Sequence, residues 1–319
     1  MDSWSAAEAA AAWGVSERWV RELAALGRVP GAVRQHRRWL IPRDTVRPVD
    51  ERGYRHLAIP DPLRAGFATV DALRAELARR RPLTPGEIGR LRQEFAVEFT
   101  YDTNAIEGST LTLRETALVL EGITVGEKSL AEHLDAIGHR DAYAYVEDLA
   151  AQTPAPPITS RILRELHFLV LAARPADRGR FRTIDVRILG ATRTPPPPHL
   201  IEERLAEVLA LQAGGTLHPL ARAARFHLAF EGVHPFIDGN GRTGRLLLNL
   251  MLLRAGYLPI NIKYTDRRRY YDCFQAWEQG GDDGPMIGLV TGYAERRLRD
   301  WLALTDPPPR RGAMVPGSD

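Results

Sequence analysis

The stretch HPFIDGNGRTGR, residues 234–245, brings together an imidazole, a carboxylate, an amide and two guanidinium groups. His234 is the side chain best suited to take a proton near neutral pH. Gly239, Asn240 and Gly241 stand where a loop turns into a helix expected to begin near Arg242. N–H groups at a helix start lack intrahelical partners, and with the helix dipole they form an anion hole suited to phosphate. Glycine there lets a ligand approach the backbone closely. Arg242 and Arg245 are three apart and share a helical face. Two cations at an already positive helix end call for an anion, and polyphosphate is the natural one. Asp238 is misplaced by charge beside such a cradle unless a divalent cation bridges it to phosphate. One carboxylate plus phosphate oxygens suits Mg²⁺. A bare DGNG would read as an ordinary turn with Asp238 capping a helix. The His four residues before Asp238 and the two Arg after it shift the reading to a phosphate-and-metal cradle with its own base.

Such a cradle needs rigid elements behind it. The apolar run LLLNLMLLRAGYL, residues 246–258, reads as a buried helix that holds the cradle in place. Apolar residues recur at helical spacing through most of residues 63–303, which predicts an all-α domain. The exception is GRFRTIDVRILGATRTPPPPH, residues 179–199. Its TIDVRIL segment is patterned as a strand, expected to form a β-hairpin flap, and the Pro run cannot continue it. Near the N-terminus, Ser5 is placed to cap a short Ala-rich helix ending at Gly14. Ser16 is placed to cap a second helix stopped by Gly27. The following RVPGAVRQHRRWLIP has strand-like ends and a basic turn. This stretch resembles the winged helix-turn-helix of excisionase and MerR-type proteins. That resemblance implies DNA contacts from Arg18 and Arg21 on the second helix and from Arg34 and Arg37 on the wing. Docking on a protein, with the Arg residues merely solvated, is the alternative. The expected division is 1–48 for this module, 49–62 for a linker, 63–303 for the helical domain and 304–319 for a disordered tail.

Composition narrows the classes. The 319 residues are 44% hydrophobic and 26% charged, ordinary for a soluble globular protein, and the net charge of +3 supplies no global field for polyanions. The lone cysteine, Cys273, excludes an intrachain disulfide and suits a reducing compartment. No basic n-region precedes an apolar core at the N-terminus, and the apolar run 246–258 is broken by Asn249 and Arg254 and is too short to span a bilayer. The expectation is a cytoplasmic protein with no membrane partner.

The motif 234–245 resembles the signature of the Fic family, H-P-F-x-[D/E]-G-N-G-R-x-x-R, and every fixed position matches. TYDTNAIEGSTLTLRETALVLEG, GEKSLAEHLDAIGHRDAY and GRFRTIDV extend the likeness upstream. The resemblance implies transfer of AMP from Mg·ATP to a Ser, Thr or Tyr hydroxyl of a target protein, with pyrophosphate released. His234 would be the general base and Asp238 would hold Mg²⁺. Asn240 with the Gly239 and Gly241 amides would hold the α-phosphate, Arg242 the β-phosphate and Arg245 the γ-phosphate, with Thr243 and Gly244 in the same turn. The flap would pair with the target's backbone. Val186, Arg187, Ile188 and Leu189 would line the nucleotide. Tyr270 and Tyr271 either flank the adenine or belong to the core. Where animal members of the family carry Asn near the base, this chain has Glu278. Kinase-type relatives carry Lys where this chain has Gly241, which disfavours a kinase.

TNAIEG, residues 103–108, matches the inhibitory pattern [S/T]-x-x-x-E-[G/N] of the same family. A Glu107 brought beside Arg245 would form a bidentate ion pair and occupy the guanidinium meant for the γ-phosphate. Thr103 and Gly108 would bracket a short helix that aims Glu107 inward. The resemblance also raises removal of AMP from a modified target, with Glu107 aligning water, and a homodimer, which is common in the family. The competing reading is a DNA-binding regulator whose Fic-like body only senses nucleotide. An intact His234 argues against it, because sensing needs no base.

Overall fold

The computed structural model describes all residues except 1–2, 14–15, 26–28, 37, 44, 46–58, 81, 189–190, 192, 213–216 and 306–319. The expected helix stops at Gly14 and Gly27, most of the expected linker and nearly all of the expected tail fall outside the described residues. So do Arg37 and Leu189.

The N-terminal unit holds β1 (Ser3–Ser5), α1 (Ala6–Trp13), α2 (Glu17–Ala25), β2 (Val33–Gln35) and β3 (Arg38–Pro42). The three strands form an antiparallel sheet in the order β1-β3-β2, with Trp4 opposite Ile41 and Arg34 opposite Trp39. Ser5 caps α1 as expected: its hydroxyl accepts from the Glu8 N–H at 3.2 Å, and its own N–H donates to the Glu8 carboxylate at 2.7 Å. Ala9, Ala10, Val20, Leu23, Ala24, Val29 and Ile41 make a small core of their own.

The body is helical: α3 (Asp61–Arg79), α4 (Pro85–Ile106), α5 (Leu113–Leu120), α6 (Leu130–Ala151), α7 (Ser160–Val170), α8 (Ile201–Ala210), α9 (Pro219–Val233), α10 (Asn240–Arg254), α11 (Arg267–Gly280) and α12 (Gly284–Thr305). Capping boxes start three of them, with Thr84 and Glu87 at α4, Thr112 and Glu115 at α5, and Ser129 and Glu132 at α6. Glu132 also accepts from the Thr110 N–H and hydroxyl at 2.7 and 2.8 Å, which pins the segment after α4 to the start of α6.

α10 is the axis of the body. Its Leu248 and Leu252 pack into one core with Ile106, Leu228, Met286 and Val290. Its Leu246, Leu247 and Leu250 pack into a second core with Phe95, Phe99, Leu166 and Phe230. Each such buried Leu stabilises by roughly 1.5–3 kcal/mol relative to exposure. A helix buried on both sides must be apolar all round, which is why the run 246–253 lacks a polar face.

The expected flap is corrected. Residues 183–188 run as a bend followed by irregular backbone, and no strand of the described body pairs with them. Residues 183–188 have the alternation of a strand but no partner edge among the described residues, so the pattern does not become a ladder there.

Candidate active site

The motif begins where α9 ends. His234 is the C-cap of α9 in a left-handed conformation, φ 47° and ψ 60°, unusual for a residue with a side chain. Arg182 locks this turn. Its Nε donates to the His234 carbonyl at 2.8 Å, its Nη1 to the Ile184 carbonyl at 2.9 Å and its Nη2 to the Pro196 carbonyl at 2.5 Å. The Arg182 N–H donates to the Pro235 carbonyl. One buried guanidinium thus ties the turn that carries His234 to the 182–196 segment.

The loop to α10 is built on Phe236, which is fully buried and stacked on His167 at 3.7 Å. His167 accepts from the Gly179 N–H through Nδ1 at 2.9 Å, so the proton sits on Nε2 and is donated to the Asp238 carbonyl at 2.9 Å. Burial holds this imidazole down at about 4, so it stays neutral in that role. Gly239, φ 74°, is the N-cap of α10 and its carbonyl accepts from the Thr243 hydroxyl at 2.8 Å. The side chain of Asn240 is a correction to the expected phosphate contact. Its Oδ1 accepts from the Phe236 N–H and its Nδ2 donates to the Phe236 carbonyl, both at 2.9 Å. Asn240 therefore shapes the loop, and what it and Gly241 offer an anion is backbone N–H at the start of α10.

Each charged group of the cradle has an internal counter-charge. Asp238 Oδ2 lies 3.2 Å from Arg174. Arg242 is buried, with Nη1 3.1 Å from Asp135 and 3.4 Å from the Asn104 side-chain Oδ1, while its Nε has no hydrogen-bond partner among the described residues. Arg245 is only 2% exposed. Its Nη2 donates to Glu107 at 2.7 Å and to the Thr103 carbonyl at 3.1 Å, and its Nε donates to the Thr103 hydroxyl at 2.7 Å. The Glu107 contact is single, not the expected bidentate pair, because Thr103 takes the Nε edge. Thr103 and Glu107 do not form a separate short helix either: Thr103 lies in the last turn of α4, Glu107 is its C-cap, and Gly108 follows at φ 100°. Gly241 makes room for the Glu107 carboxylate. A Cβ there would sit 2.4 Å from Glu107 Oε1.

Burial sets the acid–base character. His234 is pushed down to about 4 by burial and by the nearby Arg182 charge. It is therefore the neutral, proton-accepting form at pH 7. Glu231, one turn earlier on α9 with its Oε2 3.9 Å from His234 Nδ1, is pushed up to about 8 by burial, and the Glu107 charge acts the same way against Arg245. Tyr270 and Tyr271 part company. Tyr270 is core, its hydroxyl 2.7 Å from His227 Nε2 and 3.4 Å from Arg245 Nη1. Tyr271 is 42% exposed under Arg267. Among the described residues, no hydrogen bond joins Val186, Arg187 or Ile188 to the 234–245 motif.

The described residues include no cluster of three or more His, Cys, Asp or Glu able to hold a metal. No described helix is long and apolar enough to cross a membrane.

Comparison with known proteins agrees with this geometry. The Fic/DOC family model matches residues 157–252. The solved structure of Fic-1 (aa134 - 508) from C. elegans superposes with a TM-score of 0.70 at 30% identity, covering 76% of this chain and 73% of that one. The chain belongs to the Fic family. A Fic domain containing signaling protein from Bacteroides thetaiotaomicron superposes with a TM-score of 0.68 at 25% identity, over 75% of this chain and 97% of that one. A protein adenylyltransferase Fic of Nematostella vectensis is 33% identical over 270 residues, 82% of this chain and 62% of that protein. The chain spans about half the length of several other curated Fic relatives that it matches.

Sequence reasoning missed Asp135, Asn104 and Glu231. Glu231 carried a signal, since a carboxylate three residues before His234 shares its helical face. Asn104 lay inside the inhibitory pattern at a position that the pattern leaves open. Asp135 is more than a hundred residues from Arg242, and no local spacing points to it.

Proposed function

We propose that the protein is a protein adenylyltransferase held in check by Glu107. The observation that carries this reading is the Arg245–Glu107 contact at 2.7 Å beside a helix start with free N–H groups. In the reaction, the hydroxyl oxygen of a target Ser, Thr or Tyr bonds to the α-phosphorus of ATP. His234 accepts the hydroxyl proton, the bond from the α-phosphorus to the bridging oxygen breaks, and pyrophosphate leaves. The backbone amides at the start of α10 hold the α-phosphate, Arg242 the β-phosphate and Arg245 the γ-phosphate once Glu107 withdraws. Asp238, with its side chain 40% exposed, offers the single hard oxygen donor that suits Mg²⁺ arriving on the nucleotide. Mg²⁺ would neutralise charge on the phosphate oxygens, and Arg174 must yield Asp238 to it.

The test is incubation with labelled ATP, with and without a protein lysate. Glu107→Gly is expected to label itself and other proteins far more strongly than wild type. Equal labelling by the two would sink the inhibitory role, and no labelling by either would sink the transferase.

A second reading concerns only the N-terminal unit. Its two helices, antiparallel sheet and exposed Arg18, Arg21 and Arg34 favour a winged helix-turn-helix that contacts DNA phosphates. Retention on a DNA column that survives 50 mM salt and disappears in Arg18→Ala/Arg34→Ala is the expected result; retention unaffected by the substitutions argues for another surface.

A further inference from the structure

Arg242 is a buried cation with an incomplete set of partners. Nη1 faces the Asp135 carboxylate on α6 at 3.1 Å as an ion pair and the Asn104 Oδ1 on α4 at 3.4 Å, and neither Nε nor the facing Asp135 Oδ1 has a hydrogen-bond partner among the described residues. A buried guanidinium donor left unpaired costs free energy, and the group that would satisfy it is an anionic ligand. Its two holders are not equivalent. Asn104 lies in the last turn of α4, the same turn that carries Thr103 and Glu107. When that turn withdraws Glu107 from Arg245, the long Asn104 contact moves with it. Asp135 lies near the start of α6, whose first turn carries its own Ser129–Glu132 capping box, while Glu132 also bonds Thr110, beyond the turn that carries Glu107. α6 also packs against α10 and α7.

We propose that Asp135 is the positioning residue of Arg242: it holds Nη1 in both the restrained and the released protein, so that Nε and the rest of the guanidinium remain aimed at the β-phosphate of the nucleotide. This inference rests on the adenylyltransferase reading, in which Arg242 meets the β-phosphate. The charge balance fits a holder rather than a bystander. Burial raises the Asp135 carboxyl above the usual range and the nearby Asp238 charge acts the same way, while Arg242 opposes both. A carboxylate placed so against its own preference gains its stability from the guanidinium it holds.

The distinction between holder and competitor is measurable, because ADP carries a β-phosphate and AMP does not. The full chain carrying Glu107→Gly is titrated calorimetrically with ADP and with AMP, then again with Asp135→Asn added. The expected result is an ADP Kd weakened by about tenfold or more, as for loss of one partner of a buried ion pair, with the AMP Kd unchanged within twofold. Asp135→Glu keeps the ion pair and is expected to retain the preference for ADP. Asp135→Ala gives the same readout as Asn should the Asn variant fail to fold. Equal weakening of ADP and AMP would make Asp135 a structural residue only and overturn the proposal. Tighter ADP binding would overturn it in the other direction, by making Asp135 a rival of the phosphate. If Glu107→Gly alone shows no preference for ADP over AMP, the phosphate reading of the cradle itself falls, and this inference with it; if the preference is present and survives Asp135→Asn, only the inference falls.

Discussion

Glu231 and His234 stand one turn apart on α9, and burial drives them in opposite directions: the carboxyl up to about 8, the imidazole down to about 4. A Glu whose folded pKa lies above its unfolded value binds its proton more tightly in the folded chain. Its stabilising contribution is complete below the unfolded value near 4.5 and is lost as pH rises toward 8. Glu231→Gln removes that dependence. The difference in unfolding temperature, variant minus wild type, is therefore expected to grow in the variant's favour from pH 5 to 8 and then level off. A difference independent of pH would mean that Glu231 titrates normally. His234 gives a second prediction at this scale. His234→Ala in the Glu107→Gly background is expected to lose at least about a hundredfold of the transfer rate, the usual worth of a positioned base, while ATP binding measured by calorimetry persists. Residual transfer near the parent rate would rule out His234 as the base.

At the scale of elements, the last turn of α4 and its C-cap cover Arg245. Thr103 and Glu107 cover two edges of Arg245, and Gly241 is the gap into which Glu107 fits. Gly241→Ala puts a methyl where the Glu107 carboxylate lies. The tightest clash is with the far end of the Glu107 side chain, with Arg245 Nη1 next at 3.1 Å, so the helix persists and the carboxylate gives way. ATP affinity is expected to rise several-fold, on the order of 1 kcal/mol for release of an ion pair whose carboxylate is about one-third exposed, and less than in Glu107→Gly. An unchanged or weaker ATP Kd would show that the methyl harms the cradle more than it frees Arg245. The contact of Glu107 with Arg245 was legible in the sequence because Thr103, Glu107 and Gly108 stand in one short pattern, and the helices around it were legible because their apolar residues repeat every three or four positions. The single rather than bidentate Glu107 contact was not legible: it depends on Thr103 reaching Nε first. Nor was the double use of the Asn240 side chain on Phe236, since a side chain that closes its own loop carries the same letter as one that awaits a ligand. The strand expected at 183–189 failed for a different reason, because alternation describes a face and supplies no partner.

The described residues of the whole molecule hold separate hydrophobic cores in the body and in the N-terminal unit. α10 gives Leu248 and Leu252 to one core of the body and Leu246, Leu247 and Leu250 to the other, so neither core is complete without the helix that begins at the cradle. The N-terminal core around Val20, Leu23 and Ile41 shares no residue with either. The family match from 157 to 252 spans the cradle and the Arg182 anchor and lies wholly within the body. These facts predict different consequences for one kind of change. Leu247→Ala, at a fully buried position, is expected to lower the stability of the body by about 2–5 kcal/mol and to lower nucleotide binding in parallel on warming, because the cradle rides on the same helix. Leu23→Ala removes as much apolar volume from the N-terminal core and is expected to leave ATP-dependent labelling in the Glu107→Gly background unchanged while it lowers a separate transition. Calorimetric unfolding of the two variants, read beside labelling at each temperature, checks this. A single transition shifted equally by both substitutions would instead mean that the N-terminal unit and the body fold as one, and that whatever the N-terminal unit binds has a direct energetic route to the cradle.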